Sequence, residues 1–316
     1  MSTTATAHTN IAFIKYWGKK DPILNLPTTS SLSLTLDQFY TQTTVTTHAQ
    51  ADQLILNDIP VDTTRTHQFL NILREQLGNF GPLTVTSTNH VPTSAGLASS
   101  ASAFAALTGA VTRELKLTIP NEALSRLARR GSGSASRSFY GHFAMWHEGV
   151  DDMSSFAESL HAPDMPIALV VAEVSADVKK VSSSEGMRRA VTSPNYGDWL
   201  RKSNAQFVDM QAAVMAADIE KIGSLAEDNA LSMHALNLTA QQQPFTYFTS
   251  ETQQILKIVQ GLRQQGFLAF ATIDAGPNVK IITTLTTAPY VVAALHDMLP
   301  QLHIETATSG SGITYD

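Results

Sequence analysis

The sequence contains no cysteine among its 316 residues. Disulfide bridges, thiolate metal sites and cysteine nucleophiles are therefore excluded, and the composition is compatible with a reducing cytoplasm. Basic residues are in the minority: the net charge of −6 argues against a nucleic-acid partner, which needs a basic face. Apolar runs long enough for a secretory signal or a membrane span are missing, so we expect a soluble, cytoplasmic protein without a membrane partner.

The common short motifs for nucleotides and metals are absent as well. The chain has no Gly-x-x-x-x-Gly-Lys-Ser/Thr loop, no Gly-x-Gly-x-x-Gly, and no pair of histidines at His-x-His or His-x-x-x-His spacing. The sequence therefore predicts no set of metal-ligating side chains. Any metal would be Mg²⁺ that arrives with a nucleotide.

What is present is a two-part pattern of strands and helices. Residues 31–36 alternate polar and apolar side chains, and residues 40–47 are rich in threonine and valine, both typical of strands. Helical spacing is concentrated in the second half of the chain, over residues 199–217, 218–231 and 251–265. Ser250 is the predicted N-cap of the last of these helices. This order predicts an α+β protein with domains 1–180 and 181–316, which meet over a ligand cleft.

Residues 91–103 form a run of small side chains that continues directly into a helix-forming sequence at 103–107. Small residues let the backbone approach a ligand closely, and a helix start directs unpaired N–H groups and a positive dipole end at one point. Such a start binds phosphate, and serine hydroxyls add further donors. The alternative is a small-residue helix that packs closely against a sheet.

Lys15 lies inside an otherwise apolar strand-like run, where an unpaired ammonium is costly. This position predicts a carboxylate or an anionic ligand as its partner, and Tyr16 and Lys19 could reach a second anionic group. The alternative is a lysine whose stem is buried while its ammonium reaches solvent.

A second run of small residues, 131–136, is flanked by arginines. Ser132, Ser134 and backbone donors can hold a phosphate, and Arg137 can bind a carboxylate or phosphate through two parallel hydrogen bonds. The alternative is a flexible Gly/Ser connector.

Asp274 ends an apolar strand and begins a Gly-Pro turn. A carboxylate at a strand end is held firmly and faces open space, as a catalytic base requires. The alternative is a turn aspartate that accepts hydrogen bonds from its own backbone.

Together, residues 8–19, 92–102, 125–138 and 274–278 resemble the diphosphomevalonate decarboxylase family of the GHMP kinase superfamily. The resemblance runs in the same order from residue 8 to about residue 285. The first and third segments are specific to the decarboxylases, whereas the second is shared by the superfamily kinases.

The resemblance implies a two-lobed GHMP kinase fold, with an N-terminal lobe like domain 2 of ribosomal protein S5 and a ferredoxin-like α/β sandwich as the C-terminal lobe. It implies an ATP-dependent decarboxylation of mevalonate 5-diphosphate in isoprenoid biosynthesis, with Mg²⁺ as the metal. It further implies a homodimer whose partners are this substrate and ATP.

The resemblance also implies roles for single residues. Asp274 would orient or deprotonate the tertiary hydroxyl of the substrate, Arg137 would hold its carboxylate, and Lys15 would supply positive charge near the transferred phosphate. The implied substrate contacts are Tyr16, Lys19, Ser132, Ser134, Ser183 and Met187. The implied contacts to the ATP phosphates are Ser94, Gly96, Leu97, Ala98, Ser99 and Ser100.

One position departs from the family pattern. Many members carry an arginine for the substrate diphosphate after the residue that corresponds to Ser183, where this chain has Ser184. Arg188 or Arg189 is the candidate for compensation. Two other functions stay open on the sequence: a superfamily kinase that phosphorylates a mevalonate derivative without decarboxylation, and an inactive regulator that only binds nucleotide.

Overall fold

The computed structural model describes residues 3–47, 49–90, 99–175 and 180–316. The strands are β1 (Thr3–Ile14), β2 (Lys19–Asp21), β3 (Leu26–Pro27), β4 (Ser31–Thr46), β5 (Gln53–Leu56), β6 (Ile59–Pro60), β7 (Thr84–His90), β8 (Phe143–Trp146), β9 (Ala157–Leu160), β10 (Ile167–Glu173), β11 (Phe270–Ile273), β12 (Val279–Thr284), β13 (His303–Thr308) and β14 (Thr314–Tyr315). The helices are α1 (Thr64–Leu77), α2 (Ser99–Glu114), α3 (Asn121–Gly131), α4 (Ser183–Ala190), α5 (Tyr196–Met215), α6 (Ile219–Thr239), α7 (Ser250–Gln264) and α8 (Ala288–Met298), and Gly133–Phe139 is a 3-10 helix.

The larger sheet has the strand order β14-β1-β4-β7-β5-β6, and β8 and β9 extend it beside β4. Helix α2 packs on one face, where Ala105, Ala106 and Val111 are buried with Val85 of β7. Alanine is the best helix former, and its small side chain lets the helix lie close to the sheet. Helix α2 also contacts the 3-10 helix.

The second sheet is antiparallel, in the order β11-β12-β10-β13. Helices α7 and α8 cover one of its faces through side chains such as Ile255 and Val291. On the other face Leu169 of β10 belongs to the same buried cluster as Ile11 and Leu34 of the larger sheet. The two sheets therefore share a hydrophobic core, to which helices α5 and α6 also contribute.

Sheet membership differs from the predicted division at two points. Strand β10 pairs with β12 and β13 of the second sheet, although residues 167–173 lie in the predicted first domain. Strand β14 returns to pair with β1, although residues 314–315 lie in the predicted second domain. The boundary between residues 180 and 181 stays a prediction.

The α+β organisation predicted from the sequence is confirmed, with corrections of detail. The segments at 31–36 and 40–47 form one continuous strand, β4, and the helix predicted at 218–231 continues to Thr239. Ser250 is not an N-cap, because Thr249 caps α7. The Thr249 hydroxyl accepts from the Thr252 N–H at 3.2 Å, and the Thr252 hydroxyl accepts from the Thr249 N–H. In the described ranges, no helix has both the length and the apolar character that crossing a membrane requires.

Candidate active site

A cavity of about 600 Å³ is lined by elements that belong to both sheets and their covering helices. Four basic side chains and one carboxylate occur among the described residues of its wall: Lys15, Lys19, Arg65, Arg137 and Asp274. The wall also contains Tyr16, Ser100, Ser132, Ser134, Ser183, Ser184 and Met187. The chain is acidic as a whole, so this local excess of positive charge predicts an anionic ligand.

Buried Lys15 and half-buried Asp274 form an ion pair in the cavity wall. The Lys15 Nζ donates to Asp274 Oδ1 at 2.7 Å and to the carbonyl of Ala12 at 2.8 Å. Lys15 follows β1 directly, and its backbone N–H donates to Asn229 Oδ1 at 2.8 Å, which ties this strand end to α6. Asp274 follows β11 directly. Residues 259 positions apart are thereby brought together.

A second lysine reaches the same carboxylate. Lys280, in β12, places its Nζ 3.3 Å from Asp274 Oδ2. The sequence analysis missed it, although a lysine in an apolar strand is the same signal that singled out Lys15. Burial raises the pKa of Asp274, but the charges of Lys15 and Lys280 outweigh burial and hold that pKa well below its usual range. The carboxylate is therefore ionised throughout the physiological range.

Arg137 is buried against the same cavity and is held by neutral groups. Its Nε donates to Ser33 Oγ at 2.9 Å and to Asn10 Oδ1 at 3.2 Å, and its Nη1 donates to Ser31 Oγ. Burial lowers its pKa to about 10, which still leaves the guanidinium charged at neutral pH. No carboxylate lies within ion-pair distance of Arg137 in the part of the chain that the structure describes. A buried cation without an ion-pair partner of its own is suited to bind an anion.

A group of hydroxyls lies near the start of α2. Ser132 Oγ is 3.3 Å from both Ser100 Oγ and Ser134 Oγ. Helix α2 begins at Ser99, as the predicted phosphate-binding start requires. The predicted contacts Ser94, Gly96, Leu97 and Ala98 lie outside the described residues.

Helix α4 forms another part of the wall, with Ser183, Ser184 and Met187 facing the cavity. The compensation predicted for Arg188 or Arg189 is not seen. Both guanidinium groups bind the carboxylate of Glu185 at 2.7 Å, and neither of them lines the cavity.

Arg65 is a further cation of the cavity wall that the sequence patterns did not single out. It lines the cavity, donates from Nη2 to the carbonyl of Gly131 at 3.2 Å, and lies over the ring of Phe104. Burial, and to a smaller extent the charge of Arg65, lower the pKa of Lys19. Tyr16, beside them in the wall, has a buried hydroxyl without a hydrogen-bond partner among the described residues. Two cations and a free phenol are suited to a multiply charged anion.

Glu173, His303 and Glu305 bring potential metal ligands within 4.8 Å of one another on β10 and β13. His303 and Glu305 pair with each other at 2.8 Å, and none of the three lines the cavity.

Comparisons with known proteins agree over both halves of the chain. Residues 7–157 match the diphosphomevalonate decarboxylase-like N-terminal domain, and residues 168–314 match the mevalonate 5-diphosphate decarboxylase C-terminal domain. The diphosphomevalonate decarboxylase of Candida albicans is 37% identical over 305 residues, which cover 89% of this chain and 83% of that protein.

Solved structures match over the whole chain. The structure of MDDEF in complex with MVAPP, AMPPCP and magnesium has a TM-score of 0.95 at 41% identity and covers 100% of this chain and 99% of that one. Mevalonate diphosphate decarboxylase from Staphylococcus aureus has a TM-score of 0.95 at 38% identity, covering 100% of this chain and 98% of that one.

Proposed function

Because the chain belongs to the diphosphomevalonate decarboxylase family, we propose that its cavity converts mevalonate 5-diphosphate to isopentenyl diphosphate. The reaction is an ATP-dependent decarboxylation that also yields ADP, phosphate and CO₂. The observation that carries the proposal is the convergence of Lys15, Arg137 and Asp274, which are remote in the sequence, on one cavity. A kinase that only phosphorylates would have no use for a buried arginine reserved for a second anion.

The first chemical step is phosphorylation of the tertiary hydroxyl of the substrate. Asp274 accepts a hydrogen bond from this hydroxyl and directs its oxygen toward the terminal phosphorus of ATP. As the new O–P bond forms, the bond from that phosphorus to ADP breaks, and the hydroxyl proton passes to the Asp274 carboxylate. The ammonium of Lys15, 2.7 Å from Asp274 Oδ1, lies where charge develops on the transferred phosphoryl group. Positioning and charge of this kind are the main contributions of proteins to phosphoryl transfer.

The second step is loss of phosphate and CO₂. As the phosphate leaves with the electrons of the C–O bond, positive character develops at the tertiary carbon. The C–C bond to the carboxylate then supplies the electrons of the new double bond, and CO₂ departs. Arg137 holds the carboxylate until this point. Its contact must loosen as the negative charge disappears, so Arg137 contributes more through position than through stabilisation of the transition state.

The nucleotide and its metal would lie at the start of α2. The hydroxyl of Ser100, on the cavity wall, is an oxygen ligand of the kind that Mg²⁺ prefers. ATP and Mg²⁺ are the cofactors that the family's complexes support. When bound, Mg²⁺ neutralises charge on the phosphates.

The substrate diphosphate would bind beside this point, to Tyr16, Lys19, Ser132 and Ser134, with Ser183 and Met187 along α4. Arg65, which also lines the cavity, would supply an additional cation. It is the candidate to replace the arginine that many members carry at the position of Ser184.

A cytoplasmic homodimer without nucleic-acid or membrane partners is part of the same proposal and is supported by the family resemblance. Light scattering of the purified protein measures the oligomeric state, and fractionation of the source cells measures location.

The deciding assay supplies mevalonate, its 5-phosphate and its 5-diphosphate in parallel, with ADP and CO₂ followed separately. We expect equal amounts of ADP and CO₂ from the 5-diphosphate alone. Asp274→Asn serves as the matched control, which should lose most of kcat while it still binds nucleotide. ADP without CO₂ would identify a kinase, and nucleotide binding without turnover of any of the three would identify a regulator.

A further inference from the structure

Lys280 occupies a position that lysine rarely takes. It lies in β12, next to β10 and β11 in the second sheet, opposite Val171 and Thr272, and its side chain is 1% exposed. A fully buried ammonium is costly unless it is paired. Its ion-pair partner is Asp274, whose Oδ2 lies 3.3 Å from Nζ.

The geometry gives Asp274 two separate anchors. Lys15, which follows β1 in the larger sheet, binds Oδ1 at 2.7 Å, and Lys280 approaches Oδ2 from the second sheet. The carboxylate cannot rotate without loss of one of these contacts. An ionised carboxylate has about four acceptor positions on its two oxygens, so acceptor capacity is left for a substrate hydroxyl.

The charges of this cluster do not cancel. Lys15, Lys280 and Arg137 face one carboxylate, which leaves a net positive charge at the site, and Lys280 contributes one of its positive charges. Lys280 does not line the cavity, whereas Lys15, Arg137 and Asp274 do. Lys280 therefore adds positive charge from behind the groups that can touch substrate.

We propose that Lys280 is a positioning residue for the decarboxylation reaction, which fixes the orientation of Asp274 and leaves the charge of Lys15 available to the transferred phosphoryl group. The inference rests on the proposed function. Lys280 acts through Asp274, so its removal changes the behaviour of a carboxylate that remains in place.

The pH dependence follows from the groups around Asp274. Lys15 faces it from the end of β1, Lys280 from β12, Arg137 from the 3-10 helix and His234 from α6. Burial alone would raise the pKa of Asp274, and the two lysines lower it. Without Lys280 that pKa rises, and a protonated carboxyl can no longer take up the proton of the hydroxyl. Activity then begins to fall at a higher pH on the acid side.

Three substitutions separate the effect of the Lys280 charge from the effect of its hydrogen-bond donor. Lys280→Met removes both the charge and the donor, Lys280→Gln keeps a donor without charge, and Lys280→Arg keeps both. The Met variant leaves a neutral Lys15–Asp274 pair, so we expect it to fold. If the Met variant does not fold, the Gln variant tests the same shift of the acid-side midpoint of kcat/KM. Lys202→Met is the matched control, because it removes a surface lysine that pairs with Asp228 at 2.8 Å outside the cavity.

We expect kcat of Lys280→Met to fall about tenfold to a hundredfold, with KM for ATP and for mevalonate 5-diphosphate changed less than about threefold. The acid-side midpoint of kcat/KM should rise in the Met and Gln variants. The Arg variant should keep the wild-type midpoint, and Lys202→Met should match the wild type throughout.

A folded Met variant with wild-type kcat and an unchanged acid-side midpoint would overturn the proposal, as would a loss confined to KM. The activity of the wild type is a separate result. Failure of the wild type to release CO₂ contradicts the proposed function, whereas only the differences among the variants bear on Lys280.

Discussion

At the scale of single residues, the site is built from polar groups that the core would normally exclude. Lys15, Arg137 and Lys280 are each at most 2% exposed, and burial lowers the pKa of Lys15 and Arg137. Arg137 differs from the lysines because its partners are hydroxyls and an amide, not a carboxylate. Its planar group has a fixed set of donor directions, which makes its identity testable.

Arg137→Lys keeps the charge and loses the fork of donors. A lysine cannot satisfy Ser31, Ser33 and Asn10 and also bind a carboxylate through two parallel hydrogen bonds. We expect kcat/KM for mevalonate 5-diphosphate to fall at least about a hundredfold, equivalent to about 3 kcal/mol, with nucleotide affinity kept. Arg201→Lys, at an exposed pair with Asp198, is the control. An unchanged kcat/KM in Arg137→Lys would remove the carboxylate contact from the mechanism.

His234 links the site to stability at acid pH. It is buried behind Asp274, and its Nε2 is 3.3 Å from the carbonyl of Ile273, to which it donates in the neutral tautomer. Burial lowers its pKa to about 4, whereas the unfolded chain takes up this proton near pH 6.5. Between these values the unfolded state binds more protons, so this group makes folding less favourable as pH falls from about 6.5 to about 4, by about 3 kcal/mol in all.

His234→Gln removes this titration and keeps a donor toward Ile273. Between pH 7 and pH 5 the wild type should lose about 2 kcal/mol more unfolding free energy than the variant. Urea unfolding at the two pH values measures it, and exposed His161→Gln should follow the wild type. Equal losses in wild type and His234→Gln would contradict the prediction.

At the scale of elements, a residue could be predicted where it broke the local pattern, although Lys280 breaks the apolar pattern of β12 and was missed. Lys15 and Asp274 directly follow the apolar strands β1 and β11, and both were identified from the sequence. Arg65 lies in the polar first turn of α1, where an arginine is ordinary, so the sequence carries no signal for it. Helix α4 was not predicted from the sequence, because its eight residues are too few to show a helical period. Its start depends on Ser182, whose hydroxyl accepts from the Glu185 N–H.

Two glycines within helices test how tightly α6 packs on β11. A methyl group on Gly223 would lie 2.2 Å from a ring carbon of Phe270 and 2.9 Å from its Cβ, whereas one on Gly261 in α7 would meet nothing within 4 Å. We expect Gly223→Ala to lower the free energy of unfolding by about 1–3 kcal/mol. Gly261→Ala should raise it by up to about 1 kcal/mol. Thermal unfolding measures the change in stability of both variants. A change in Tm of the same sign in both would contradict the tight packing of α6 on β11.

At the scale of the whole molecule, the shared core makes the two sheets depend on each other. Leu34 of the larger sheet and Leu169 of the second are fully buried in one cluster. The alternation of residues 31–36 predicted that one face of β4 is buried. No local pattern could show that this face shares a hydrophobic cluster with a strand more than 130 residues later. The shared cluster is a property of the assembled chain.

Leu34→Ala and Leu169→Ala should each lower the free energy of unfolding by about 2–5 kcal/mol and leave a single transition. Far-UV circular dichroism in urea gives the free energies, and hydrogen exchange of peptides from each sheet shows whether both lose protection together. Exposed Val208→Ala, at 64% exposure, should stay within about 0.5 kcal/mol of the wild type. Loss of protection in one sheet at a lower urea concentration than in the other would contradict the shared core.

Trp17 gives the cavity an optical property. Its indole is 3% exposed, forms part of the wall beside Lys15 and Tyr16, and donates to Asn237 at 3.1 Å. Fluorescence emission from an indole shifts with the polarity and charge around the ring. An anion that binds in the cavity therefore changes the fluorescence of Trp17. Occupancy of the cavity can be titrated through this signal without a dye or a coupled enzyme.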